Sequence, residues 1–179
     1  MIIFWSDNGF HLGQKEHWHN STLWAEATHV PFIIAAPGRQ AAGSRCGRPV
    51  ELLDIYPTLI EVCGLSQKKL DGLSLVPLLH NPHAQWTRPA VITFKRGQHA
   101  VCTERWRYIR YTDGSEELYD HETDAHEGTN LASAKAHARI RQELGLGCRA
   151  RMCFRSRRGK NTSLIRSVIR GPGSQDHKL

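Results

Sequence analysis

The chain has 179 residues, 40% apolar and 23% charged, with a mean hydropathy of -0.47. That length allows one domain with its own core and leaves little for a second, and no stretch approaches the roughly 18 uninterrupted apolar residues that a membrane span needs. The net charge of +7 is unevenly placed: residues 1–144 hold 15 Lys and Arg against 16 Asp and Glu, whereas 145–179 hold nine basic residues and one acid, Asp176.

Met1 to Trp5 is a continuous apolar run, the pattern of a strand buried on both faces within a parallel sheet. It has no basic flank and no cleavage site, so it is not read as a signal peptide. Ser6-Asp7-Asn8-Gly9 are turn formers and end the strand. Residues 10–29 read as an irregular loop rich in His and Trp, with a short helix around Thr22 to Ala27. Pro31 to Ala36 is a second strand, closed by Pro37-Gly38. Asp54 is placed to cap a helix whose first turn tolerates Pro57, whose Ile55, Leu59 and Val62 recur at helical spacing, and which Gly64 ends. Leu73 to Leu79 forms an apolar patch. Short alternating runs at 90–94, 99–103, 106–111 and 117–119, with Asp113-Gly114 as a hairpin turn, predict a small antiparallel sheet. A helical pattern returns over 131–144.

From Gly145 onward, arginines crowd beside glycine and serine with little amphipathic order, which reads as a basic, disordered extension. No aromatic-rich recognition module accompanies this charge, so no specific nucleic-acid partner is expected. The five cysteines, Cys46, Cys63, Cys102, Cys148 and Cys153, form no CxxC pair and have no histidine at zinc-site spacing. Unpaired, reduced thiols are the simpler reading.

Chemistry is concentrated near the start. A carboxylate and an amide oxygen side by side at the end of an apolar strand suit a hard cation, and strand ends of that kind are where α/β sheets bind ligands. Asp7 and Asn8 are thus candidate metal ligands, although the same residues also make an ordinary turn. The loop Gly13-Gln-Lys15-Glu-His17-Trp18 adds a cation, an imidazole and an indole. Lys15 is a candidate for holding an anionic substrate and His17 for moving a proton, although each is also a common surface residue. His11, His17, His19 and His29 match no H-E-x-x-H zinc spacing.

These residues resemble a family. The run Ile2-Ile-Phe-Trp-Ser-Asp-Asn-Gly-Phe-His-Leu-Gly-Gln-Lys-Glu-His-Trp18, with Leu23-Trp-Ala-Glu-Ala-Thr-His-Val-Pro-Phe-Ile-Ile-Ala-Ala-Pro-Gly38, is similar to the type I sulfatase segment that carries the second half of a calcium site. The closest branch is the one holding iduronate-2-sulfatase and choline-sulfatase. Leu52 to Leu59, Cys63-Gly64-Leu65, Asp71-Gly-Leu-Ser74, Trp106 to Tyr111, Glu117 to Asp120 and Asn130-Leu-Ala132 continue the resemblance in order over about residues 1–144.

The resemblance implies a fold class of α/β type: a partial alkaline-phosphatase-like sheet with a small C-terminal antiparallel sheet and helix. The implied division is 1–85, the C-terminal part of the catalytic α/β domain; 86–144, a small sheet-plus-helix subdomain; and 145–179, the basic tail. It implies hydrolysis of a sulfate ester of a sugar or small molecule, with a formylglycine nucleophile and calcium drawing charge from the sulfate. Periplasmic, secreted or lysosomal placement would fit such a family. Asp7 and Asn8 carry over as calcium ligands, forming half of that site. Asn20 stands where this branch places a substrate-contacting lysine.

The nucleophile motif C/S-x-P-x-R is absent: Cys46 is followed by Gly-Arg-Pro and Cys148 by Arg-Ala-Arg. The chain is accordingly expected to be the C-terminal portion of a sulfatase, inactive alone. A non-catalytic remnant or binding module and a related phosphohydrolase are the alternative readings.

Overall fold

The computed structural model describes residues 1–36, 38, 43–156 and 168–169, with side chains described through residue 147. Its centre is a four-stranded antiparallel sheet of β6 (Ala90–Thr93), β7 (His99–Cys102), β8 (Trp106–Arg110) and β9 (Glu116–Asp120), in the order β6-β7-β8-β9. All four strands fall where alternation placed them. The turn between β8 and β9 holds Gly114 at φ 88°, a backbone region open to glycine.

Alternation works here because both faces of the sheet are covered. One face buries Val91, Val101, Tyr108 and Leu118 with Ala132 and Leu144, the last on α4 (Ala138–Ser156). The other buries Ala90, Ile92, Ala100, Cys102, Ile109 and Tyr119 beneath Leu23 and Trp24. Leu23 and Trp24 lead into α1 (Ala25–Thr28), so the segment after the His-rich loop is the lid of the sheet's second face.

The first strand, β1 (Ile2–Trp5), forms as expected but pairs antiparallel with β4 (Phe32–Ala35), in the register Ile2↔Ala35 through Trp5↔Phe32. It is also not buried: Ile2 is 71% and Phe4 59% exposed, and on β4 Ile33 is 60% exposed. Among the described residues β4 is its one strand partner, and the outward face of this ribbon lies open. An apolar run specifies a strand, and what covers it depends on elements that the run does not encode.

Between the ribbon and the sheet lie β5 (Val50–Glu51), α2 (Ile55–Val62) and α3 (Val76–His80). Val30, Val50, Leu75 and Leu78 form a core there, packed against Phe32 and Ile34 of β4. Asp54 does not cap α2. The helix is preceded by a 3-10 turn, Leu52–Asp54, and Asp54 closes that turn reciprocally with Glu51, whose backbone N–H donates to Asp54 Oδ2 at 2.9 Å. Asp54 Oδ1 also accepts from the Leu73 amide at 2.8 Å and from Arg88 at 2.6 Å. At the far end Gly64 (φ 63°) terminates α2 as expected: its N–H donates to Glu61, and that of Leu65 to Ile60, the paired bonds of a Schellman stop.

The predicted helix over 131–144 begins later and runs further. Asn130 Oδ1 accepts from the Leu118 and Ala132 amides and keeps that stretch in turns. The helix α4 then starts at Ala138 and continues to Ser156, so the boundary drawn at 145 falls inside it. A helix once begun adds one bond per residue fixed, and arginine is a good helix former. Val168–Ile169 forms β10, paired antiparallel with β5. The remainder of the expected disordered tail lies outside the described residues. Among the described residues no disulfide joins Cys46, Cys63 or Cys102, and the side chains of Cys148 and Cys153 lie outside those described. No helix among the described residues is long and apolar enough to cross a membrane.

A buried ion pair joins the sheet to the first 30 residues. Arg107 on β8 is 1% exposed and Glu127 0%. Arg107 Nε lies 2.5 Å from Glu127 Oε1, and its Nη1 donates to the Leu23 carbonyl and the Thr28 hydroxyl, both at 3.0 Å. Glu127 Oε2 accepts from the Ala25 amide at 2.9 Å, and Oε1 bonds His121 at 2.7 Å. Burial alone would raise the Glu127 carboxyl, but Arg107, His121 and the Ala25 amide outweigh it and hold it down to about 2. A carboxyl depressed in the fold from its ordinary 4.5 adds stability that is complete above that value and is lost as pH falls toward about 2. At about 1.36 kcal/mol per unit this amounts to something on the order of 3 kcal/mol. Glu127→Gln should therefore lower stability at pH 7 by about 3–5 kcal/mol, the usual cost of stranding one buried charge, and flatten the acid limb. Urea midpoints from pH 7 down to 2.5 check this, and a variant with an unchanged acid limb would refute it.

Candidate active site

The turn after β1 is held from below. Gly9 N–H donates to the Ala27 carbonyl at 3.0 Å, and the backbone comes so close to α1 that a Cβ on Gly9 would stand 1.9 Å from the Glu26 carbonyl oxygen. Ser6 Oγ donates to the Asn8 carbonyl at 2.7 Å, and the Asn8 amide donates to Asp7 Oδ1 at 3.1 Å. These bonds fix the two candidate oxygen donors at the end of β1, Asp7 exposed and Asn8 half-buried.

Asn20 reaches the same place from the loop. Two short strands, β2 (His11–Leu12) and β3 (Trp18–His19), pair antiparallel and return the chain toward β1. Asn20 Nδ2 then donates to Asn8 Oδ1 at 2.7 Å. The residue expected to meet substrate thus spends one amide hydrogen on orienting a candidate ligand. That oxygen keeps a second lone pair.

His17 lies half-buried among rings, with its centroid 5.1 Å from His11 and 6.2 Å from Trp24. Its Nε2 is buried without a hydrogen-bond partner among the described residues. His11 is fully buried and shares a 2.8 Å hydrogen bond with Thr22 Oγ1. Burial pushes its imidazole down, against the pull of the Glu26 carboxylate, and His17 lowers it further. An imidazole so depressed is neutral at pH 7.

Lys15 was expected to face an anion, and the structure turns it inward. Its Nζ donates to the Tyr119 hydroxyl at 3.2 Å and to the Glu127 carbonyl, and lies 4.5 Å over the Tyr119 ring and 4.9 Å over that of Trp24. Of the five predicted site residues, Asp7, Asn8 and Asn20 come together, His17 lies in the aromatic recess beside the same loop, and Lys15 points to the sheet. The partners Ser6, Trp24, Tyr119 and Glu127 were not foreseen. Trp24 had a signal in the Leu23 to Thr28 run, whereas nothing in the residues around Glu127 marks it as an anchor.

The donors at the strand end are all oxygens, which fits a hard cation and not a soft one. They are two side chains against the six to eight ligands calcium takes. Among the described residues, no group of three or more His, Cys, Asp or Glu could hold a metal ion. The fit is therefore to part of a site.

Known proteins resemble this chain in sequence and in fold. The family model for N-sulphoglucosamine sulphohydrolase, C-terminal, matches residues 13–150. A sulfatase of Formosa agariphila is 37% identical over 134 residues, covering 74% of this chain and 26% of that protein. A choline-sulfatase of Rhizobium meliloti is 32% identical over 141 residues, 74% of this chain and 27% of its own length. A protein solved in complex with its substrate D-glucosamine-2-N,6-O-disulfate superposes with a TM-score of 0.73 at 23% identity, over 88% of this chain and 35% of its own. This likeness gives the fold as alkaline-phosphatase-like α/β. The chain spans about a quarter of the length of the curated relatives it matches.

Gly9→Ala should cost about 1–3 kcal/mol, because the added methyl meets backbone that cannot swing aside. Chemical denaturation of the variant measures this, and an undiminished midpoint would show that the turn is not seated on α1.

Proposed function

This chain belongs to the sulfatase family, and on that premise we propose that it forms the C-terminal part of a calcium-assisted sulfuric ester hydrolase. Asp7 and Asn8 supply two ligands of the cation, and the nucleophile and remaining ligands come from polypeptide outside these 179 residues. The absent C/S-x-P-x-R motif and the quarter-length match both support this division. The observation that carries the reading is the 2.7 Å bond from Asn20 to Asn8 beside Asp7, because it sets the direction of a neutral oxygen next to a carboxylate at the strand end.

When bound, calcium would draw negative charge from the sulfate oxygens. Asp7 brings the full negative charge that attracts the ion, and Asn8 brings a neutral oxygen whose direction Asn20 sets. Having no charge, Asn20 acts on Asn8 first and on substrate, at most, through its second amide hydrogen. His17 carries the proton: its free Nε2, in a recess walled by His11 and Trp24, is the group that exchanges a proton with the leaving oxygen. The substrate class is a sulfate ester of a sugar or small molecule, in keeping with the family and with a choline-sulfatase among its relatives.

The isolated chain should be inactive. Joined to an upstream sulfatase portion with its formylglycine, it should hydrolyse an aryl sulfate in a calcium-dependent way. In that longer polypeptide Asn20→Ala should lose about 10–100-fold, as partners of metal ligands typically do, and Asp7→Ala should lose more. Turnover indifferent to Asp7→Ala would end the proposal.

A further inference from the structure

We propose that Lys15 is a positioning residue whose ammonium latches the strained loop 13–20, and with it His17 and Asn20, onto β9 and the Glu127 turn. The strain is visible in the backbone. Among the described residues, four that are not glycine have positive φ: Lys15 (54°), Glu16 (55°), His19 (135°) and Glu127 (57°). Three of them lie in this loop, and the fourth offers the carbonyl that accepts from Lys15. Such conformations cost free energy and persist where the surroundings over-determine them.

The receptor for the ammonium is assembled independently of Lys15. Glu117 accepts from Trp24 Nε1 at 2.6 Å, from the Tyr119 hydroxyl at 2.7 Å and from the Tyr111 hydroxyl at 3.0 Å. Tyr119 donates its hydrogen to Glu117, so its oxygen is left to accept from Lys15, and the ring faces of Tyr119 and Trp24 both turn toward Nζ. Burial and Glu117 push both tyrosine hydroxyls up, which keeps them protonated and donating. The Glu127 carbonyl is equally fixed, since its side chain is locked by Arg107, His121 and the Ala25 amide. A cation over two ring faces with a carbonyl and a phenol oxygen is a complete ammonium site. Here its occupant comes from the loop itself, 104 and 112 residues away along the chain.

The latch stands or falls apart from catalysis, so its test reads no turnover. In the full chain, amide hydrogen exchange is followed at Gly13, Glu16 and His17, which are bonded within the loop, and at Ala100 and Val101 of β7 as a reference. Lys15→Met keeps the length and removes the charge; exchange in the loop should rise about tenfold or more, the scale of one lost bond to a charged group, with β7 unchanged. Lys15→Arg retains a cation and should keep the loop protected. In Lys15→Ala, added ethylammonium should enter the vacated cage and restore protection. A loop unaltered by Lys15→Met, an equal loss in Lys15→Arg, or no response to ethylammonium would each overturn the latch.

Discussion

A buried guanidinium must be paired inside the protein, and Arg107 draws its partners from the 23–28 segment and from Glu127. Its hydrogens meet Leu23, Thr28 and Glu127, and Glu127 in turn accepts from Ala25 and bonds His121. Either charge alone would cost several kcal/mol to bury. The sheet face at Arg107 is therefore only tolerable with the 23–28 segment in place, and that segment is only anchored with Glu127 in place. The turn carrying Asp7 and Asn8 rests on α1 through Gly9, so the candidate site inherits its position from this pair.

The electrostatics of the site differ from a simple count of its charges. Lys15 is adjacent in sequence but spends its charge on the sheet, and Asn20 brings an amide where the resemblance implies a lysine. The end of β1 is thus dominated by the Asp7 carboxylate and neutral oxygens, an environment that favours a cation over a bare anion. On the proposed function, an anionic ester would approach through the ion and not through Lys15.

How much was legible follows from the range of each interaction. Strands β6 to β9 were readable because alternation and the Asp113-Gly114 turn are local, and the Gly64 stop because one glycine serves it. Asp54 was misjudged because its partners Leu73 and Arg88 lie far along the chain, and one carboxylate looks the same whether it caps a helix or closes the turn before it. The exposure of β1 was not readable from its apolar run. The end of α4 was missed because Gly145 and Gly147 argue against a helix, whereas propagation from Ala138 carries it through them. Asp7 and Asn8 were visible as a pair of oxygen donors. The inward turn of Lys15 was not, since left-handed backbone at lysine, glutamate and histidine has no signature in residue type.

The connections within the four-stranded sheet are a few residues each, whereas the bonds that seat the His-rich loop span about a hundred. Closing a long loop costs more entropy than closing a hairpin, and that cost must be met before the contact rewards it. Nascent hairpins therefore assemble early and offer a template, and the loop bearing His17 and Asn20 is among the last pieces to come to rest. During synthesis this loop must wait for the ribosome to deliver Tyr119 and Glu127, so its geometry is a late acquisition of a segment made about a hundred residues before its receptor.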